Sequence, residues 1–355
     1  MNRSMLSRRQ LLARASAAAL ISLPAPAALI TTAHATSAAP FGPWQTKLFA
    51  DHPLVGRILD ASTKADIGLS ALERRVEESA LLILGEVHDN PDHHRIQAHL
   101  FTRFAQKRKR PPAAVFEMIP YDLQPKLDAL RERKRITADD VFDAVDWDHS
   151  GWPSRDIYRP IMQAVLAANA PIIAAGLPRK RIKALIDRPD SAVSRQEIGI
   201  LRLGPLPDEL QQALERDIVK SHCDMISRET ARKMSFVQRM RDALLARHLA
   251  LAHAREGSAA LICGNGHARK DWAVPFYIKR QRKGAYFGPQ GKRLSPPDPL
   301  VIWQAEARKD ARDVADLLPE GAEPAKLADI VIITPRAKRK DQCEEFRRFM
   351  QRKRK

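Results

Sequence analysis

Beyond its first 35 residues the chain has no run of roughly 18 apolar residues, the length a bilayer-spanning helix needs, so no transmembrane segment is expected in its body. Cysteine is scarce, with only Cys223, Cys263 and Cys343. None of them follows the N-terminal apolar stretch where lipid attachment would require one, so no lipid anchor is expected. An odd number leaves at least one thiol unpaired, Cys263 sits in an apolar run as a small buried hydrophobe would, and no disulfide is assigned. The absence of a Cys-x-x-Cys pair and of His-Glu-x-x-His argues against structural zinc and a zinc-protease helix. A Gly-x-x-x-x-Gly-Lys phosphate loop and a Gly-x-Ser-x-Gly turn are also missing, which removes phosphate-loop nucleotide hydrolysis and the usual serine-hydrolase elbow. Acids are too few to balance bases: the formal charge is +18, and it is still +14 without the four arginines of residues 1–35. Such a surface attracts anions. Its basic runs, Lys107 to Arg110, Arg131 to Arg135 and Arg352 to Lys355, carry no interleaved aromatics for base stacking, so no specific nucleic-acid partner is expected.

What is present begins with an export signal. Ser7-Arg8-Arg9-Gln10-Leu11-Leu12 precedes the Ala-rich apolar stretch Ala15 to Thr32 and the small-x-small site Ala33-His34-Ala35. This reads as a twin-arginine signal peptide over residues 1–35, and the mature protein is expected to be periplasmic. Residues 36–337 are expected to form a single domain, followed by a basic C-terminal tail over 338–355.

Within that domain, short apolar runs alternate with helical patterns. Leu81 to Leu84, Ala113 to Phe116, Pro171 to Gly176 and Ser258 to Gly264 read as buried strands, with Leu300 to Trp303 and Asp329 to Ile333 completing the set. Strands separated by helices imply crossover connections, so the fold class expected is α/β, a largely parallel sheet flanked by helices. The long helical stretches Asp208 to His222 and Glu229 to Arg255 read as a helical insertion or lid.

The chemistry gathers where these strands end. Glu86 and His88 follow the first long strand at a spacing of two, which sends both side chains the same way while the chain stays extended. Glu117 leaves the second strand, and His267 leaves a later one after Gly264-Asn265-Gly266, whose glycines let backbone pass close to a ligand. The carboxyl edge of a parallel sheet is where ligands bind. His93 and His94 open the next helix within reach of the same edge. If water or a metal were activated here, Glu86 or His88 would be the base.

Gly85-Glu86-Val87-His88-Asp89-Asn90-Pro91-Asp92-His93-His94, with Gln97, resembles the opening motif of the ChaN-like haem-binding family, in the wider Tiki and erythromycin-esterase-like group. Phe116-Glu117-Met118, Ser150-Gly151-Trp152-Pro153 with Tyr158 and Pro160, His222-Cys223, Gln238 to Ala243, and Gly264 to His267 with Arg269 extend the likeness from Leu81 to Pro275. The resemblance implies haem as cofactor, held as two stacked groups between the subunits of a homodimer, with iron ligated by a tyrosine aided by histidine. On this chain it points to Tyr158 as the iron ligand, because phenolate oxygen suits ferric iron. His88 and His267 are the further candidate metal ligands, and Glu86, His93, His94, Glu117, His222 and Arg269 the other cofactor contacts. Arg155, Arg159, Arg179 and Arg269 are candidates for pairing with propionates. The function expected is periplasmic haem binding in haem or iron uptake, storage or transfer, without catalysis. The alternative is a metal-dependent hydrolase built on the same Glu and His cluster.

Overall fold

One strand, β1 (Ile58–Asp60), is too short for any periodicity to announce it; α1 (Gly68–Glu78) follows. The six apolar runs are all strands, because a strand buried on both faces needs apolar residues at successive positions and not only at alternate ones. Next along the chain come β2 (Leu81–Glu86), α2 (Pro91–Gln106) and β3 (Ala113–Pro120). Three helices, α3 (Gln124–Arg131), α4 (Ala138–Ala144) and α5 (Arg155–Ala167), lead to β4 (Ile172–Gly176). Four more, α6 (Arg179–Asp187), α7 (Arg195–Leu201), α8 (Asp208–Ser221) and the long α9 (Arg228–Glu256), separate it from β5 (Ala259–Gly264). The chain ends with α10 (Asn265–Ala268), α11 (Val274–Arg282), β6 (Leu300–Glu306), α12 (Pro324–Leu327), β7 (Ile330–Thr334) and α13 (Gln342–Lys353). This is a computed structural model that describes residues 40–188, 191–282 and 295–353. The chain divides into residues 1–37 and a unit spanning 38–355, and the expected export signal lies outside the described residues.

The strands make one sheet in the order β1-β7-β6-β2-β5-β3-β4, parallel throughout except for the antiparallel β1–β7 pair. Successive side chains leave on opposite faces. Leu82, Leu84, Ala114 and Phe116 therefore pack under α1, α2 and α5, through Val76, Ile96, Leu100 and Ile161. Leu81, Ile83, Val115 and Leu261 face the other way, against Met240, Leu245 and Leu249 of α9 and Tyr277 of α11. Helices following β2 and β3 thus cover one face, and those following β4 and β5 cover the other. Neighbouring strands whose connections depart in opposite directions leave a crevice at their carboxyl ends. The α8 helix packs on α9 through a satellite cluster that includes Leu206, Leu214, Ile218 and Trp272. Among the described residues no helix is long and apolar enough to cross a membrane.

The cysteine assignment needs correction. Cys223, in the turn between α8 and α9, is disulfide-bonded to Cys343 at the start of α13, while Cys263 is free and buried. The partners lie 120 residues apart. Only tertiary packing brings them together, so nothing local to either cysteine signals the bond.

Candidate functional site at the strand ends

Register explains why the acidic and imidazole groups meet. Glu86 is the last residue of β2 and pairs with Gly264 at the end of β5, while β3 lies on the far side of β5 with Phe116 beside Ile262. Glu86, Gly264 and Glu117 are therefore neighbours on three adjacent strands, of which β3 runs on to Pro120. The β3–β4 pairing shifts register between Phe116 and Pro120, at the point where Glu117 turns toward β5. There Gly176 of β4 passes so close that a Cβ would lie 2.2 Å from the Glu117 carbonyl oxygen.

On the β2 side, Glu86 is buried and organises three rings. Its Oε1 lies 2.7 Å from His88 Nδ1 and accepts a 2.9 Å hydrogen bond from the Tyr158 hydroxyl. Its Oε2 is 2.8 Å from His94 Nδ1, close in distance but not aligned as a hydrogen bond. His94 is fixed by Gln97 Oε1 at 3.0 Å on one nitrogen and the His88 carbonyl at 3.0 Å on the other. Burial by itself raises the Glu86 pKa, but the charge of the nearby His94 and the hydrogen bond and charge of His88 overrule it and bring it down to about 2. Burial, with Glu86 alongside, pushes the Tyr158 phenol well above its ordinary range.

On the β3 side, Glu117 faces cations. Its Oε1 accepts from Arg241 at 2.5 Å and lies 3.2 Å from His267 Nε2, while Oε2 accepts from the Gly264 N–H at 2.8 Å. His267 Nδ1 contacts Asp242 Oδ1 at 2.5 Å, so the ring is held between two carboxylates. Burial opposes the charge on His267, yet Glu117 and Asp242 lift it to about 9. Burial likewise raises Asp242, to about 6, against the pull of His267. The Glu117 carboxyl is held well below its usual range: its burial is outweighed by His267 and Arg241.

His88 joins the two halves. With Nδ1 on Glu86, its ring packs against the Gly264 backbone, where a Cβ would lie 2.7 Å from Nε2 and 2.8 Å from Cε1. Nε2 forms no hydrogen bond among the described residues, and the side chain is 34% exposed. Burial lowers the His88 pKa, but Glu86 and Glu117 more than compensate and raise it. The ring meets Trp152 edge-on at 4.7 Å. Trp152 lines a cavity of about 570 Å³ with Met118, Trp147, Ile182, Arg179 and Arg241 on its other walls, and Glu117 also reaches it.

Of the residues singled out from sequence, Glu86, His88, His94 and Tyr158 form one cluster and Glu117 and His267 the adjoining one. Several of the roles expected for them, and the places of the other candidates, need correction. Tyr158, expected to ligate iron, is fully buried between Trp147 and His94 with its hydroxyl donated to Glu86, so it faces no open space. His267, the other candidate metal ligand, has both ring nitrogens against carboxylates. His93 turns away from the cluster, accepting from the Val87 N–H and touching Thr334, because adjacent helical residues diverge by about 100°. His222 bonds the Ile218 carbonyl beside the disulfide. Arg269 pairs with Asp271 and stacks on Trp272. Arg155 and Arg159 are engaged by Asp139, Asp143, Asp148 and Asp156, which leaves Arg179 alone of the four candidate arginines on the cavity wall. Sequence reasoning quoted Arg241 and Asp242 only within the matching segment Gln238 to Ala243 and gave neither a role in the site. Their signal was one turn of a long helix carrying adjacent opposite charges near apolar neighbours. Among the described residues no group of three or more His, Cys, Asp or Glu is arranged to hold a bare metal ion.

A family model described as haem-binding uptake, Tiki superfamily, ChaN matches residues 72–278. Among solved structures, ChaN of Campylobacter jejuni, described with cofacial haem binding, aligns with 20% identity over 78% of this chain and 95% of that one, at a TM-score of 0.58. An erythromycin esterase in its open conformation aligns with 11% identity over 85% of this chain and 99% of its own, at a TM-score of 0.42. The type III effector HopBA1 aligns with 11% identity over 75% and 93%, at 0.39. The first of these matches the fold; the other two are too distant to support an argument. No curated protein matches the chain in sequence.

Proposed function

Since the chain belongs to the haem-binding uptake family of the Tiki superfamily, the ChaN family, we propose that it binds haem in the periplasm for haem or iron uptake, storage or transfer. In this reading it is exported by the twin-arginine route and works as a homodimer with haem at the subunit interface. The observation that carries the proposal is His88. One nitrogen is anchored by a buried carboxylate, and the other is unpartnered on a partly exposed ring beside an aromatic-walled cavity. A carboxylate behind a histidine is the usual support for a metal-bound imidazole, fixing its tautomer and direction. The residues therefore fit haem with His88 as the iron-facing group and Tyr158 as a support acting through Glu86. Haem would supply an iron able to take a nitrogen ligand and an apolar face edged by two carboxylates. The cavity is of the size ligands use, has Trp147 and Trp152 for that face, and has Arg179, Lys180, Lys126 and Arg241 for those carboxylates. Its lining suits an apolar anion better than a small polar one.

Hemin titration followed by absorbance and sedimentation tests this. A shifted Soret band, a monomer-to-dimer change, loss of both in His88→Ala and an unmoved band in Tyr158→Phe are expected. An unshifted band, or a His88→Ala protein that binds as the parent does, would refute it. A hydrolytic use of the cluster has one observation in its favour, the orientation of His88 by Glu86 as a general base would be. That reading would take over if the protein carried stoichiometric metal, cleaved a chromogenic ester and ignored hemin.

A further inference from the structure

Four large hydrophobic side chains are exposed among the described residues, and three of them sit together in sequence on α6 and α7: Ile186 at 44%, Ile198 at 39% and Ile200 at 40%. Isolated exposed apolar residues need no explanation, whereas a local concentration beside a cavity does. Only Leu201 of α7 is buried, and Gly199, between the two isoleucines, has open space where a Cβ would be. Ile198 and Ile200 therefore stand at the surface on a helix anchored by Leu201. An ion pair between Arg181 and Glu197, at 2.5 Å, fixes it to α6. On α6 itself, Ile182 lines the cavity and Ile186 stands one turn farther along the same side, so the apolar wall runs out onto the surface.

The same segment is cationic. Between Arg179 and Arg202 there are seven Lys and Arg residues against Asp187, Asp190 and Glu197. Arg179, Lys180, Arg188 and Arg195 are exposed and have no acidic partner among the described residues. Exposed aliphatic side chains on a segment whose cations have no acidic partner among the described residues match a bilayer interface, where the chains enter the headgroup boundary and the cations meet lipid phosphates. We propose that the α6–α7 rim docks this protein on an anionic phospholipid surface. Charge complementarity selects this occupant over a second copy, whose identical face would set like charges against each other. Nucleic acid would satisfy the cations but leave three isoleucines without a partner. The inference does not depend on the ligand of the cavity.

Flotation of the full protein with vesicles tests it. Binding to phosphatidylglycerol–phosphatidylcholine vesicles, little binding to phosphatidylcholine alone, and a loss of at least about tenfold in Ile186→Ser/Ile198→Ser/Ile200→Ser are expected. These residues are exposed, so the triple variant should retain the parent's circular dichroism. Charge reversal in the distant basic run, Arg131→Glu with Arg135→Glu, should reduce binding far less. In Ile198→Trp, brominated lipid should quench the new fluorescence. Equal binding by the triple variant, an unquenched Trp, or isoleucine variants that change only the sedimentation of lipid-free protein would each overturn the proposal.

Discussion

Replacing Gly264 with alanine should disable the site while leaving the fold intact. The backbone there has φ −64° and ψ 152°, which alanine adopts freely, so the change by itself would stabilise by about 0.4–1 kcal/mol through the unfolded chain. The added methyl, however, lies 2.7 Å from His88 Nε2, whereas ordinary contact begins at 3.4 Å, so the ring must withdraw by about 0.7 Å. A displacement of that size is enough to stretch the 2.7 Å contact with Glu86 past hydrogen-bond range. Losing a charge-assisted hydrogen bond costs about 1.5–3 kcal/mol, which leaves a net destabilisation of about 0.5–2.6 kcal/mol and a melting point lower by about 1–4 °C. Hemin affinity should fall by at least about tenfold, because the imidazole is no longer held in line. Gly266→Ala is the control: that residue is exposed, and its nearest neighbour would be Gln238 Nε2 at 4.0 Å. Thermal melts and hemin titrations of the two variants decide the matter. If Gly264→Ala binds as the parent does, or if Gly266→Ala loses as much, then the Gly264 cradle does not position His88.

Three further outcomes follow from other parts of the structure. His267 is held at about 9 against an ordinary 6.5, so between those values the folded chain keeps a proton that the unfolded chain has released. Its contribution is complete below pH 6.5 and fades as pH rises toward 9, on the order of 3 kcal/mol in all; melts across that window should fall in the parent and fall less steeply in His267→Gln. At the open edge of the sheet, the Gln124 side chain accepts from the Ala174 N–H at 2.7 Å and donates to the Ile172 carbonyl at 3.1 Å, standing in for a missing strand. Gln124→Ala should speed amide exchange at Ala174 and raise self-association in sedimentation; unchanged exchange would show that the edge is protected otherwise. Cys343→Ser opens a loop of 120 residues and should cost about 2–4 kcal/mol. It should also make Lys338 to Arg352 the first tryptic site, and a parent-like digestion pattern would show that α13 is held without the bond.

What the sequence made legible and what it hid divide along the reach of the forces involved. The strands were readable because a doubly buried strand writes its environment into consecutive residues, as Leu81 to Leu84 and Ala259 to Cys263 do. Glu86 and His88 were readable as partners because a spacing of two in extended chain puts them side by side, and they meet at 2.7 Å. The choice between His93 and His94 was not readable: neighbours on a helix point about 100° apart, and only the position of α2 against β2 and β7 sends His94 to Glu86 and His93 to Thr334. Tyr158 shows the same limit in another form. Its place in the cluster followed from the matching segment, but whether its hydroxyl opens to a ligand or turns to Glu86 depends on Trp147 and His94 closing over it. Asp242 and Arg241 were hidden because a long helix presents many charges and only the docking of α9 across β3, β4 and β5 selects two of them. The groups that act directly can therefore be found at strand ends, whereas several that orient and charge them come from helices distant in sequence, Tyr158 lying 72 residues from Glu86 and Arg241 124 from Glu117.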